Sequence, residues 1–124
     1  MRSHKSLIAW QRAHSLVGGV IFASVHHWSP PAAAIFSQLQ RAALSVQLNI
    51  AEGYARRAAA QFRYHLNVAY GSAVETIELL ELLRDHDLLP TGQLEPMLQD
   101  ASDCRGLLLG LIRRYTPAGL PCTP

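Results

Sequence analysis

Four polar residues, Arg41, Ser45, Asn49 and Glu52, are separated by steps of four, four and three. On a helix this spacing places them on one stripe beside the apolar face. Ser72, Glu75 and Glu78 repeat the pattern further along the chain. An acid, an amide and hydroxyls at the edge of a core could assemble an active site. Catalysis of that kind needs a nucleophile with a base in reach, and the Arg41–Glu52 stripe offers no such pair and no histidine of its own. The expected role is a hydrogen-bond network that fixes helix register, because buried polar groups must be paired.

A second constellation is Arg56, Arg57 and Arg63, with Tyr54 and Tyr64 nearby. Guanidinium groups grip phosphates and aromatic rings stack on bases, so the cluster could hold RNA or DNA. A solvated helix junction is the plainer account of the same residues. The six histidines and two cysteines carry no metal-ligand spacing: Cys-x-x-Cys, His-x-x-x-His and Glu-x-x-His are all absent. Neither a metal nor another cofactor is expected, and no catalytic motif is present. Cys104 and Cys122 could form one disulfide, but nothing in the sequence implies it, and reduced thiols are expected.

These side chains must be carried by helices. Proline and glycine divide the chain into four apolar-periodic segments, closed at Ser29-Pro30-Pro31, at Gly53 with Arg56-Arg57, at Leu89-Pro90-Thr91-Gly92 and at Thr116-Pro117. Phe62, Leu66, Ala69, Ala73, Thr76, Leu80 and Leu83 advance by alternating fours and threes, the spacing of a helix packed in a bundle. Leu94, Met97, Ala101, Cys104, Leu108, Leu111 and Tyr115 do the same, as do Leu39, Ala43, Val46, Ile50 and Gly53. The first segment reads Leu7, Trp10, His14, Val17, Ile21 and Ser24, a poorer stripe interrupted by Gly18-Gly19. No segment alternates with a period of two, so strands are not expected. The pattern predicts an all-α, antiparallel up-down four-helix bundle over residues 1–116, followed by a Pro/Gly-rich tail over 117–124.

Leu44 and Leu48 lie roughly opposite the core stripe of the second helix, and Val68, Leu79 and Leu82 opposite that of the third. One bundle buries one face of each helix, so this second apolar face predicts a partner copy. Composition agrees: hydrophobic residues make up 49% and charged residues only 16%, which leaves an apolar surface on a lone domain and excludes intrinsic disorder. The net charge of +2 is too small to announce a nucleic-acid binder by itself. Its distribution is uneven, however. Residues 1–70 hold seven basic groups and one acid, whereas residues 71–124 hold four basic groups and eight acids. No apolar run is long enough to span a membrane and no secretory-signal layout is present, so a cytoplasmic protein is expected.

The stretch Gln38-Leu39-Gln40-Arg41-Ala42-Ala43-Leu44-Ser45-Val46-Gln47-Leu48-Asn49-Ile50-Ala51-Glu52-Gly53 resembles the signature of a bacterial family, the four-helix-bundle proteins encoded in intervening sequences of 23S ribosomal RNA genes. Leu7-Ile8-Ala9-Trp10-Gln11-Arg12-Ala13 is similar to the family's opening. Ala69-Tyr70-Gly71-Ser72 followed by Glu75 is similar to its third helix. Gln47 stands where the family usually has proline, Ala55 where it has glycine, and Thr76-Ile77 where it has Leu-Glu. The resemblance implies a ring-like homo-oligomer, a pentamer, with no enzymatic activity. It also implies kinship with the accessory protein of diversity-generating retroelements, which binds nucleic acid and a reverse transcriptase; that branch is much more basic than this chain.

Overall fold

The computed structural model describes residues 3–120. A short 3-10 turn, His4–Ser6, leads into α1 (Ile8–His26), and a second, Pro30–Ala32, leads into α2 (Ala33–Arg56). Then follow α3 (Ala59–Asp85) and α4 (Thr91–Tyr115), with no strand among the described residues. Each helix packs on its two neighbours in sequence around a square, with α1 closing against α4. Short connections force consecutive helices to run antiparallel, giving the up-down bundle. The expected C-terminal tail falls partly outside the described residues, as does Cys122.

Two apolar clusters fill the bundle, one above the other. The lower joins Ala9, Val46, Ile50, Phe62, Leu66, Cys104, Leu108 and Ile112; the upper joins Leu16, Val20, Phe36, Leu39, Leu80, Leu83, Leu94 and Met97. The expected stripes of α2 and α3 are buried throughout. In α4 the stripe holds as far as Leu108 and then turns by one residue, so Ile112 is buried while Leu111 and Tyr115 pack at the edge.

The expected stripe of α1 is corrected. Its buried residues are Ala9, Ala13, Leu16, Val17, Val20, Ala23 and Ser24; His14 and Ile21 are exposed, and Leu7 and Trp10 pack only at the edge. This helix is apolar on both sides, so periodicity alone does not choose between its faces. The small residues face inward because they let α1 lie close to its neighbours: a Cβ on Gly19 would stand 3.0 Å from Met97 Cγ.

Helix ends follow from local chemistry. Pro90 has extended backbone and precedes α4, so Thr91 and Gly92 belong to the first turn of that helix and not to the loop. Gly53 likewise does not end α2; the helix runs on to Arg56, and Arg57 terminates it with a left-handed backbone, φ 63°. A residue with a Cβ pays about 1 kcal/mol or more for that conformation, which glycine adopts freely.

Candidate nucleic-acid interface

The polar stripe of α2 meets α3 in a continuous ladder. Ser72 Oγ donates to Ser45 Oγ at 2.7 Å, and Asn49 Nδ2 donates to the Ser45 carbonyl at 2.9 Å and to its hydroxyl at 3.1 Å. With Nδ2 so engaged, Asn49 turns Oδ1 toward His65 Nδ1, 3.0 Å away, and His65 must therefore carry its proton on that nitrogen. Glu52 lies 3.9 Å beyond His65 and accepts from Arg56 at 2.9 Å. The Arg56 guanidinium, and behind it the charge of His65, hold the Glu52 carboxyl below its ordinary value. Glu75 accepts from Gln38.

The expected network thus contains Ser45, Asn49, Glu52 and Ser72, with Glu75 on a separate bond. Arg41 is exposed and makes no hydrogen bond or ion pair among the described residues. His65 belongs to the network, although nothing in its sequence spacing marks it. It stands on α3, and only the register of α3 against α2 brings it to Asn49. Ser72 bonds to Ser45 and Ser45 to Asn49, and His65 bonds to the amide and not to a hydroxyl, so no serine–histidine pair forms among the described residues. Burial pushes the Cys104 thiol up to about 12, with Asp100 and Asp103 adding to the shift. It is protonated at neutral pH and makes no nucleophile. Asn49→Ala should cost about 1–3 kcal/mol, because it strands the His65 ring N–H in a half-buried setting. Chemical denaturation of the variant measures this.

Of the arginine cluster, Arg57 is exposed and unpaired among the described residues. Arg56 is exposed but spends its charge partly on Glu52. Arg63 is half-buried, and its Nη1 donates to the Tyr115 carbonyl at 2.9 Å. It ties the end of α4 to α3 and is less open to solvent than Arg56 and Arg57. That same bond fixes something the sequence halves concealed: the C-terminus of α4 lies at the α2–α3 junction. Arg113 and Arg114, both exposed, therefore join the cluster, although they come from the acidic half of the chain.

The bundle is consequently polarised by its ends. Lys5, Arg56, Arg57, Arg63, Arg113 and Arg114 gather where α1 and α3 begin and α2 and α4 finish, and Glu52 is the carboxylate placed among them. At the opposite end stand Glu78, Glu81, Asp85, Asp87 and Glu95, with Arg84 bridging Glu81 and Asp85. Asp100 and Asp103 lie between the two ends and face α1, where they bond Ser15 and Arg12. Cations in the last turns of α2 and α4 also offset the helix dipoles, so part of this arrangement serves stability.

Apolar surface remains on two sides. Leu44, Leu48, Val68 and Leu82 are exposed, Leu48 by 59%. Leu79, expected on this face, packs instead against the upper core. The outer side of α1 adds Ile21, Phe22 and Val25, the last exposed by 70%, with Trp28 just past its end. Residues 13–40, which include this face, contain no Asp, Glu, Lys or Arg. No helix of the described residues is long and apolar enough to cross a membrane.

No curated protein matches the chain. Among solved structures, it is similar to a protein of unknown function from the S23 ribosomal protein family of Bacteroides thetaiotaomicron. The TM-score is 0.76 and the identity 23%, covering 86% of this chain and 96% of that one. At that identity the likeness establishes the fold. The family model described as 23S rRNA-intervening sequence protein matches residues 5–110. That span takes in the Asn49–Gly53 motif, the ladder it builds, α1 to α3 and most of α4, and the chain belongs to the 23S rRNA-intervening sequence protein family.

Proposed function

We propose that this protein is a non-catalytic, homo-oligomeric accessory protein that binds RNA or DNA through the basic end of its bundle. The observation that carries the reading is the gathering, among the described residues, of six cations around one carboxylate at that end. Phosphate contacts add, and an assembly multiplies them, so a chain of low net charge still offers a strongly basic surface once several copies stand together. The ring, and the pentamer that the family resemblance implies, belong to this proposal. A second reading, a protein-interaction module without nucleic acid, is favoured by the uncharged apolar face of α1.

Exposed Leu44 and Leu48 support the oligomer. Replacing both by Glu should lower the mass in solution to that of a monomer and leave helical content nearly unchanged, since neither side chain is buried in the bundle. Light scattering with circular dichroism checks both halves of this expectation. A monomeric mass for the unmodified protein at micromolar concentration would contradict it. The nucleic-acid reading is tested by binding to a generic RNA at low and at moderate salt: binding that weakens steeply with salt supports the basic end, and no binding at low salt leaves the interaction module.

A further inference from the structure

We propose that the groove at the α2–α3 junction takes one unstacked base of a single-stranded nucleic acid, with an adjoining phosphate on Arg57. The inference rests on reading the basic end as a nucleic-acid surface, and it names what that surface recognises. The groove encloses about 550 Å³ and is lined by Gly53, Tyr54, Ala55, Arg57, Ala58, Ala59, Phe62 and Tyr115. That volume lies within the range of small-ligand sites.

Its chemistry is specific. The glycine and the three alanines keep the walls low. The rings meet edge to face, Phe62 at 6.0 Å from Tyr54 and 5.0 Å from Tyr115. Arg57 stands on the rim with no ion pair or hydrogen bond among the described residues. The Arg114 guanidinium lies 5.8 Å from the centre of the Tyr115 ring, adding a second cation beside the lining. No carboxylate lines the groove among the described residues. An aromatic lining under a cationic rim complements a ligand that is flat, aromatic and anionic in one unit. An acidic peptide side chain has the charge without the ring. A duplex has both but keeps its bases in the stack. An unpaired nucleotide presents the two together, and base–aromatic stacking accepts any base.

The test uses a short single-stranded RNA carrying 2-aminopurine, the same RNA as a duplex, and Ala59→Phe, which fills the groove without changing charge. A thermal melt first confirms that the variant folds, and Ala55→Phe is the second filling variant. The unmodified protein should quench 2-aminopurine and bind the single strand about tenfold more tightly than the duplex. Both filling variants should lose the quench and the preference and still bind the duplex in a salt-sensitive way. Salt-sensitive binding with no quench and no preference would overturn the groove inference and leave the basic end standing. No salt-sensitive binding of either RNA would overturn both. A fall in oligomer mass on filling, with no quench by the unmodified protein, would show a second copy in the groove and so refute the base site.

Discussion

Gly53→Ala should destabilise the protein by about 1–3 kcal/mol, the range for overpacking a tight contact. At this chain length that corresponds to roughly 3–15 °C in melting temperature. Two effects of opposite sign compete here, because alanine in a helix interior gains up to about 1 kcal/mol over glycine. Space decides between them. A Cβ built on Gly53 would stand 2.7 Å from His65 Cβ and 3.1 Å from Phe62 Cδ1. His65 Cβ is tied directly to the backbone of α3 and cannot swing aside, so the two helices must separate. Separation also pulls His65 from Asn49 and loosens the ladder at its centre. Gly71→Ala is the contrasting case: its Cβ would meet nothing within 4 Å, and the helix-propensity gain should appear undiminished as a small rise in stability. Thermal melts of the two variants, side by side, measure the difference in sign.

The second large effect concerns Arg57, Arg113 and Arg114. Replacing all three by Gln should weaken RNA binding by roughly ten- to a thousandfold at low salt. It should also flatten the salt slope by about two to three, because each phosphate that no longer meets a guanidinium keeps its counterion. Arg63 is a poor member of such a set, because losing its bond to the Tyr115 carbonyl would disturb the end of α4 as well. Arg57→Gly gives a sharper readout. Glycine relieves the left-handed backbone at this position, so stability should rise by up to about 1 kcal/mol, while RNA affinity falls. A residue with only a structural role would not move the two quantities in opposite directions. Melting and fluorescence anisotropy on one preparation supply both.

The legibility of the sequence follows the contrast between helix faces. Phe62, Leu66, Ala69, Ala73, Thr76, Leu80 and Leu83 are readable as a core stripe because polar residues flank them on α3, and all seven are buried. In α1 the contrast vanishes. Ile21 and Ala23 compete for the interior, and close packing selects the small residue that a reading by size passes over. Asn49, Ser45 and Ser72 are readable as structural because their spacing places them at the rim of a core. His65 is not, because its partner Asn49 is 16 residues away and on another helix. Arg113 and Arg114 are hidden for a similar reason: charge counted along the chain separates them from the other arginines, whereas the antiparallel fold sorts charge by bundle end. Leu79 shares the spacing of the outward leucines, yet it is half-buried against the upper core.

Nucleic-acid binding at the basic end is read out by the salt dependence of RNA binding by the unmodified protein. Five of its cations, Lys5, Arg56, Arg57, Arg113 and Arg114, are exposed at that end. If most of them meet phosphates, the logarithm of the binding constant should fall with the logarithm of salt concentration with a slope of about −2 to −4 per protomer. No detectable binding at low ionic strength, or a slope indistinguishable from zero, would contradict the account.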